Sequence, residues 1–171
     1  MDSWDKYFFD LIEVIRAKSK DRSTKVGCVI ADNKHTILAT GFNGFPRKVN
    51  ENSKDLNEFL PPHLKHRAVE EIESRHQRPT KYLFTEHAER NAIYQSARKG
   101  VSLEGSIIYI DWYPCADCAR AIIQSGIKEV VIDARDEDEK KEYWNKRWKD
   151  HMNASKKMLK EAEVKIRKYK G

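Results

Sequence analysis

Two short segments of this chain carry residues that can bind a metal ion and move protons. They are His87-Ala88-Glu89 and, about 25 residues later, Pro114-Cys115-Ala116-Asp117-Cys118. One imidazole and two thiolates fill three corners of a zinc tetrahedron and leave the fourth to water, as in catalytic zinc sites. The spacing therefore predicts a zinc ion, bound by His87, Cys115 and Cys118, that activates water for hydrolysis.

Both segments are predicted to begin helices. Cys115 and Cys118 are three positions apart, which places both sulfurs on one helix face, and Pro114 suits a helix start. A stripe of apolar residues at helical spacing begins at His87 itself. Because the amino end of a helix is mildly positive, it favours thiolates and suits the predicted metal centre.

Glu89 is the candidate general acid and base. It lies two positions past His87, so on a helix it points away from the coordination position of that residue and is free to move protons. The combination H-x-E with P-C-x-x-C is the signature of zinc deaminases that act on cytosine or adenine. The predicted reaction is therefore hydrolytic deamination, in which Glu89 takes a proton from water and delivers it to the ring nitrogen and the departing ammonia.

Simpler interpretations exist for each part of this pattern. The two cysteines alone could form a redox pair or half of a structural zinc site. Glu89 alone could complement the helix dipole. The combination favours catalysis, because a structural zinc site needs a fourth Cys or His and has no use for the glutamate.

The composition fits one compact enzyme domain, residues 1–171, with 39% hydrophobic content. Cys28 is the one cysteine not claimed by the metal, which favours a reducing compartment over a disulfide framework. With neither a signal peptide nor a membrane span predicted, we expect a cytoplasmic protein. The net charge of +6 and pI of 9.1 favour an anionic partner, either nucleotide phosphate or polynucleotide, although solubility alone also accounts for them.

The order of the apolar patterns predicts an α/β fold, a three-layer α/β/α sandwich with a mixed five-stranded sheet. The predicted elements are a first helix capped by Asp2 or Ser3, a hairpin of strands at 26–31 and 36–40, two parallel strands at 106–111 and 129–132 that flank the Cys-bearing helix, and a C-terminal helix plus edge strand at about 140–169. Trp144, Trp148, Met152, Leu159 and Ala162 mark the apolar stripe of the closing helix.

A polar insertion at about 48–82 interrupts this order. It contains His63, His66 and His76, which are either surface residues or part of a second metal site. No cysteine or clear carboxylate partner accompanies them, so the surface interpretation is favoured.

Four segments together resemble the deoxycytidylate (dCMP) deaminase family of the cytidine deaminase-like superfamily. They are Ser19-Lys20-Asp21-Arg22-Ser23-Thr24-Lys25-Val26-Gly27, Gly41-Phe42-Asn43-Gly44-Phe45-Pro46-Arg47, His87-Ala88-Glu89-Arg90-Asn91-Ala92-Ile93 and Pro114-Cys115-Ala116-Asp117-Cys118-Ala119. The resemblance covers roughly residues 5–133. It implies deamination of dCMP to dUMP, with dCTP as a further candidate substrate, by a homo-oligomer, typically a hexamer. Its partners would be small nucleotides, not nucleic acid or membranes.

The resemblance also implies roles for particular residues. The loop at 19–25 lies near the substrate phosphate, Asn43 bonds the sugar and the backbone of Ala88 holds the base. The substrate-binding set is Ser19, Lys20, Ser23, Thr24, Lys25, Asn43, Ala88, Trp112 and Tyr113. Control by dCTP and dTTP with Mg²⁺ is implied at a site that includes Gly41, Phe42, Asn43, Gly44, Phe45 and Arg47.

Three features depart from the family pattern. Arg90 replaces a residue that is usually apolar, Arg22 replaces a common proline, and the segment from Lys48 to Tyr82 has its own composition. Trp112 is similar to a pocket tryptophan of polynucleotide cytidine deaminases, although a buried aromatic at a strand end explains it equally well. The alternatives are therefore a polynucleotide or tRNA cytidine or adenosine deaminase and a zinc-stabilised binding module without catalysis.

Overall fold

Five strands form one mixed sheet in the computed structural model, which describes residues 3–51, 75–78, 80–135 and 148–171. The strands are β1 (Gly27–Ala31), β2 (Ile37–Phe42), β3 (Ile107–Ile110), β4 (Glu129–Asp133) and β5 (Lys165–Tyr169), in the order β2-β1-β3-β4-β5. The strand β1 is antiparallel to β2 and β3, whereas β3, β4 and β5 run parallel. The predicted mixed five-stranded sheet is confirmed, with β5 at one edge.

Helices cover both faces of this sheet. They are α1 (Trp4–Arg16), α2 (Lys81–Phe84), α3 (Ala88–Lys99), α4 (Ala116–Gln124) and α5 (Lys149–Glu161). On one face, α1 packs against the sheet, and on the other face α3, α4 and α5 share a second core. The predicted three-layer arrangement is therefore confirmed.

Successive side chains of the central strands point alternately into the two cores. Ile108 and Ile110 of β3 belong to the core shared with α3, α4 and α5, whereas Tyr109 between them packs with Phe8 and Phe9 of α1. Successive side chains of a strand point to opposite faces, so a strand with helices on both sides is apolar throughout. The sheet thus fixes α3 and α4 side by side on one face.

Local chemistry explains the first helix and the hairpin. The Ser3 side chain accepts the backbone N–H of Lys6 and caps α1, as predicted. In the turn between β1 and β2, the Asp32 carboxylate accepts the backbone N–H groups of Lys34 and Thr36, each at 2.8 Å. The predicted hairpin is confirmed.

Some expected details differ from the structure. Pro114 precedes the N-cap Cys115 and is not the first helical residue, because the chain is still extended at Cys115. Trp148 directly precedes α5 instead of lying within it, and Trp144 falls outside the described residues. Of the insertion at 48–82, residues 52–74 and 79 also fall outside them, including His63 and His66. Within the described ranges, no helix is both long and apolar enough to cross a bilayer.

Candidate active site

Three potential metal donors converge at the adjoining ends of two helices. Nδ1 of His87 lies 3.6 Å from Sγ of Cys115 and 3.5 Å from Sγ of Cys118, and all three donor atoms lie within 4.8 Å of one another. Zinc at about 2.3 Å from sulfur and about 2.0–2.1 Å from nitrogen, with tetrahedral angles, separates N and S by about 3.5 Å. The donor set therefore fits a zinc ion with one coordination position left for water or substrate. In the described parts of the chain, no other His, Cys, Asp or Glu group has metal-site geometry.

The backbone brings these donors together. His87 is the N-cap of α3 and Cys115 is the N-cap of α4, so each ligand segment begins its helix as the sequence predicted. Before α3, Gly44 and Glu86 form an antiparallel bridge through two backbone hydrogen bonds of 3.0 and 2.8 Å. Since α4 directly follows the carboxyl end of β3, the sheet sets the distance between the two helix starts.

Hydrogen bonds between the three ligands shift their pKa values in different directions. A hydrogen bond from the Cys118 thiol lowers the pKa of Cys115 to about 3, and the same contact, together with burial, raises the pKa of Cys118. Burial favours neutral imidazole at His87, but the bond to Cys115 and the charge of Glu89 outweigh it and raise the pKa of His87 to about 8. Zinc must therefore displace protons from His87 and Cys118 when it binds at neutral pH.

Glu89 lies beside the ligands in the first turn of α3 and is only 5% exposed. Burial raises the pKa of its carboxyl, against the opposing influence of His87. A raised pKa lies closer to neutral pH, and a carboxyl with such a pKa can both accept a proton and return it.

One pocket contains this carboxyl and two of the ligands, His87 and Cys115. One part of its wall is polar or charged, one part is aromatic, and the remainder surrounds the ligands. The polar residues are Asp21, Thr24, Asn43, Arg78, Lys81 and Thr85, the aromatic residues are Tyr82, Trp112, Tyr113 and Trp148, and Val26, Ala88 and Glu89 complete the lining.

The pocket includes five of the nine expected substrate residues, which are Thr24, Asn43, Ala88, Trp112 and Tyr113. The other four, Ser19, Lys20, Ser23 and Lys25, are not among the residues that line it. Lys20 is 71% exposed and pairs with Glu51. Ser19 is buried and donates its hydroxyl to Asn43, so it supports the pocket from behind.

Asn43 already uses the full hydrogen-bonding capacity of its side chain. Its amide oxygen accepts from the Ser19 hydroxyl at 2.7 Å and the Val26 backbone at 2.9 Å. Its amide nitrogen donates to the Thr24 carbonyl at 2.8 Å and to Asp21 at 3.3 Å. In this conformation Asn43 holds the loop in place, and a bond to a sugar requires it to release one of these partners.

A buried ion pair underlies the same loop. Nζ of Lys81 lies 2.7 Å from Oδ2 of Asp21, and the two side chains are 8% and 6% exposed. Lys81 also donates to the Ser23 hydroxyl at 2.6 Å, and Asp21 accepts the backbone N–H of Thr24 at 3.0 Å. Burial alone raises the pKa of Asp21, but these hydrogen bonds outweigh it and lower that pKa. The pair thus joins the loop at 19–25 to α2.

Sequence reasoning missed the pocket residues Arg78, Lys81, Tyr82 and Trp148. The first three lie in the polar insertion, where apolar periodicity gives no indication of a pocket. Their one signal was position, because they shortly precede His87 in the chain. Trp148 was assigned to an apolar helix stripe, and its place at the pocket had no sequence signal.

The expected regulatory loop at 41–47 has a structural role in its first half. A Cβ on Gly41 would lie 2.1 Å from the Ala88 carbonyl oxygen and 2.6 Å from the Ala92 nitrogen, so glycine permits β2 to pack on α3. Around Gly44 there is open space. Beyond Gly44, the ring of Phe45 packs edge-on against the ring of His76, with the ring centroids 4.9 Å apart.

Arg90, which departs from the family pattern, connects the two ligand-bearing segments. Its guanidinium donates to Glu86, whose carboxylate also accepts the His87 backbone N–H at 3.0 Å. It also lies 3.7 Å from Asp117 of α4. The positive charge of Arg90 therefore lies between the starts of α3 and α4.

The fold and the donor set define the class of protein. A three-layer α/β domain brings one imidazole and two cysteine sulfurs together beside a pocket that is lined by a buried carboxyl, as a metal-dependent hydrolytic enzyme requires. The sequence model of the family described as "Cytidine and deoxycytidylate deaminase zinc-binding region" matches residues 2–134.

Relatives and solved structures agree with this match. The chain is 35% identical to an uncharacterized deaminase of Aliivibrio fischeri over 97% of this chain and 93% of the relative. It is 36% identical to a probable deoxycytidylate deaminase of Drosophila melanogaster over 75% of this chain and 58% of that relative, whose length it therefore spans only in part. The dCMP deaminase of the cyanophage S-TIM5, solved with dCMP and dUMP, superposes with a TM-score of 0.65 at 26% identity, with 99% of each chain covered. The chain belongs to the cytidine and deoxycytidylate deaminase family, and the recognition from four sequence segments is confirmed.

Proposed function

We propose that this chain hydrolyses dCMP to dUMP and ammonia, with zinc bound by His87, Cys115 and Cys118 and with Glu89 moving the protons. One observation carries the proposal: the three donors meet at tetrahedral spacing beside a buried carboxyl that lines the same pocket. The names of the relatives and the dCMP and dUMP of the cyanophage structure support the choice of substrate.

The chemistry divides between the ion and the chain. Zinc, when bound, supplies a Lewis acid that lowers the pKa of water to about 7. Glu89 accepts one proton of the attacking water and gives it to the ring nitrogen. It then takes the second proton from the new hydroxyl on C4 and gives it to the leaving amino group, as the C4 carbonyl forms and the C–N bond breaks. The carbon gains one oxygen and loses ammonia, so no oxidant or reductant is needed. Burial of Glu89 keeps bulk water away from these transfers.

The polar wall suits the phosphate of a mononucleotide. Arg78 and Lys81 are cations of the pocket lining, and Thr24 adds a hydroxyl. A phosphate monoester has about −1.5 to −2 charges at neutral pH, and charge-assisted hydrogen bonds to such residues are strong. We assign Thr24 and Arg78 to the phosphate end, beside the Lys81–Asp21 pair that holds the loop, and the aromatic wall to the base and sugar.

Regulation by dCTP and dTTP with Mg²⁺ is a separate proposal at the loop 41–47. It is supported by the continuity of that loop with the pocket, since Asn43 lines the pocket and Gly44 is bridged to Glu86 beside His87. A ligand that displaces this loop would move the start of α3.

The test is ammonia release by purified zinc-loaded protein from dCMP, dCTP, cytidine and a cytosine-containing single strand. We expect dCMP to react fastest, and dCTP or dTTP with Mg²⁺ to change its rate. A preference for the strand would overturn the substrate assignment and favour the polynucleotide alternative. Absence of deamination with all four substrates would favour the binding module.

A further inference from the structure

Trp148 lies outside the region that the family model matches but lines the pocket. The family match ends at residue 134, and Trp148 is the residue directly before α5. Its side chain lines the same pocket as His87 and Glu89. The C-terminal part of the chain therefore adds a wall that the family pattern does not specify.

The helix that follows holds this tryptophan in place. Met152, Ser155 and Leu159 of α5 are buried, and Leu159 belongs to the core shared with α3 and α4. The backbone N–H of Met152 donates to the Trp148 carbonyl at 2.9 Å. The backbone that carries the indole is therefore anchored to the packed domain.

Two edge-to-face contacts place the indole beside Tyr82 and the metal ligand His87. The ring centroids of Trp148 and Tyr82 are 5.5 Å apart at 85°, and those of Trp148 and His87 are 6.5 Å apart at 71°. These separations are in the range of favourable aromatic pairs. Tyr82 of α2 and Trp148 before α5 thus meet next to His87, where they join two regions distant in the sequence.

We infer that Trp148 is a specificity-determining residue that contacts the nucleotide and restricts the pocket to single nucleotides. The inference rests on the proposed function. A cytosine within a strand has phosphodiesters on both sides, so its enzyme must leave the pocket open where both flanking nucleotides pass. Here the Tyr82 and Trp148 rings meet at the pocket wall, so one such path is obstructed. The indole also offers a flat apolar surface to the one nucleotide that does enter.

The experiment compares Trp148→Ala, Trp148→Phe and the control Trp4→Ala in zinc-loaded protein. Trp4 is a suitable control because it is 52% exposed and lies on α1, on the opposite face of the sheet. We expect Trp148→Ala to weaken dCMP binding and raise the KM about tenfold or more. Relative activity on a cytosine-containing single strand should increase, and bound zinc should be unchanged. Trp148→Phe should retain most of the affinity, and Trp4→Ala all of it.

Two results would overturn the inference. A Trp148→Ala enzyme whose KM for dCMP stays within about twofold of the Trp4→Ala enzyme would show that the indole does not contact the nucleotide. Loss of zinc from Trp148→Ala in parallel with activity would show that the tryptophan only supports His87. If wild-type protein bound dCMP without deaminating it, the proposed function would fail, but equilibrium binding of dCMP to the same variants would still decide the role of Trp148.

Discussion

Glu89 is the residue on which the proposed reaction depends most directly. Its carboxyl is buried beside His87 and Cys115, and burial raises its pKa. Yet zinc binding by the three donors does not require it. Metal binding and proton transfer can therefore be separated by substitution.

Replacing Glu89 by Gln should retain one zinc per chain and reduce ammonia release from dCMP by about 10²–10⁴-fold, because the amide cannot carry the proton. Metal analysis and a turnover assay on the same preparation measure both effects. The matched control is Glu161→Gln, since that side chain is 66% exposed. A Glu89→Gln enzyme with near wild-type turnover would exclude this residue as the proton carrier.

The ion pair of Asp21 and Lys81 should make the free energy of unfolding depend on pH in the acid range. The folded-state pKa of Asp21 is lowered, so its contribution is present above the unfolded pKa of about 3.9 and is lost as the pH falls through the folded value. We expect Asp21→Asn to reduce the free energy of unfolding by about 3 kcal/mol near pH 7, because it leaves Lys81 buried without its partner. The difference from wild type should shrink over the interval below about pH 4, as the pH falls toward the folded-state value.

Denaturant unfolding at several pH values measures this difference. Asp10→Asn is the control, because its pair with Lys6 is exposed and should contribute at most about 1 kcal/mol. If the effect of Asp21→Asn were independent of pH over that interval, the pair would not be the source of the stability.

At the scale of elements, the close packing of β2 on α3 determines where His87 and Glu89 lie. A Gly41→Ala side chain would meet the backbone of α3, which cannot move without displacing the helix start. We expect a loss of about 1–3 kcal/mol or more in stability and a reduced zinc affinity. Gly44→Ala is the matched control, with open space and an ordinary backbone, and should change stability by less than about 0.5 kcal/mol. Equal effects of the two substitutions would contradict this view of Gly41.

The elements that sequence patterns predicted are those with strong periodicity or caps. The strands β1 and β3 are apolar throughout, β4 is apolar between Glu129 and Asp133, and α1 begins at a serine cap, so their positions follow from local chemistry. By contrast, α2 is a single short turn in a polar segment, and the burial of its Lys81 depends on Asp21, which is 60 residues away in the chain. Local patterns contain no such information.

The candidate site divides in the same way. His87, Glu89, Cys115 and Cys118 were found because their spacing within each segment is chemically specific. Trp148 was not found, because its place at the pocket results from tertiary packing of α5. In the loop at 19–25, Thr24 lines the pocket, whereas the other four predicted residues of the loop do not, since a continuous run of polar side chains does not show which of them face inward.

At the scale of the whole molecule, zinc should stabilise the native state that assembles its ligands. Binding at about a thousandfold above Kd adds about 4 kcal/mol, which for a chain of this size is on the order of 10 °C in Tm. Removing zinc with a chelator should therefore lower the Tm by about that amount, and re-addition should restore it. His87→Ala protein should not respond to the chelator. An unchanged Tm after verified metal removal would contradict a structural contribution of the ion.

The division of the ligands between α3 and α4 also has a consequence for biogenesis. His87 and Cys115 are 28 residues apart in the chain, with all of β3 between them. A nascent polypeptide that has exposed only the first ligand segment offers a single donor, and even the complete cysteine pair has no imidazole until the sheet aligns both helices. Cellular metal loading should therefore follow tertiary assembly, and metal supply would control the maturation of folded apoprotein and not its initial collapse.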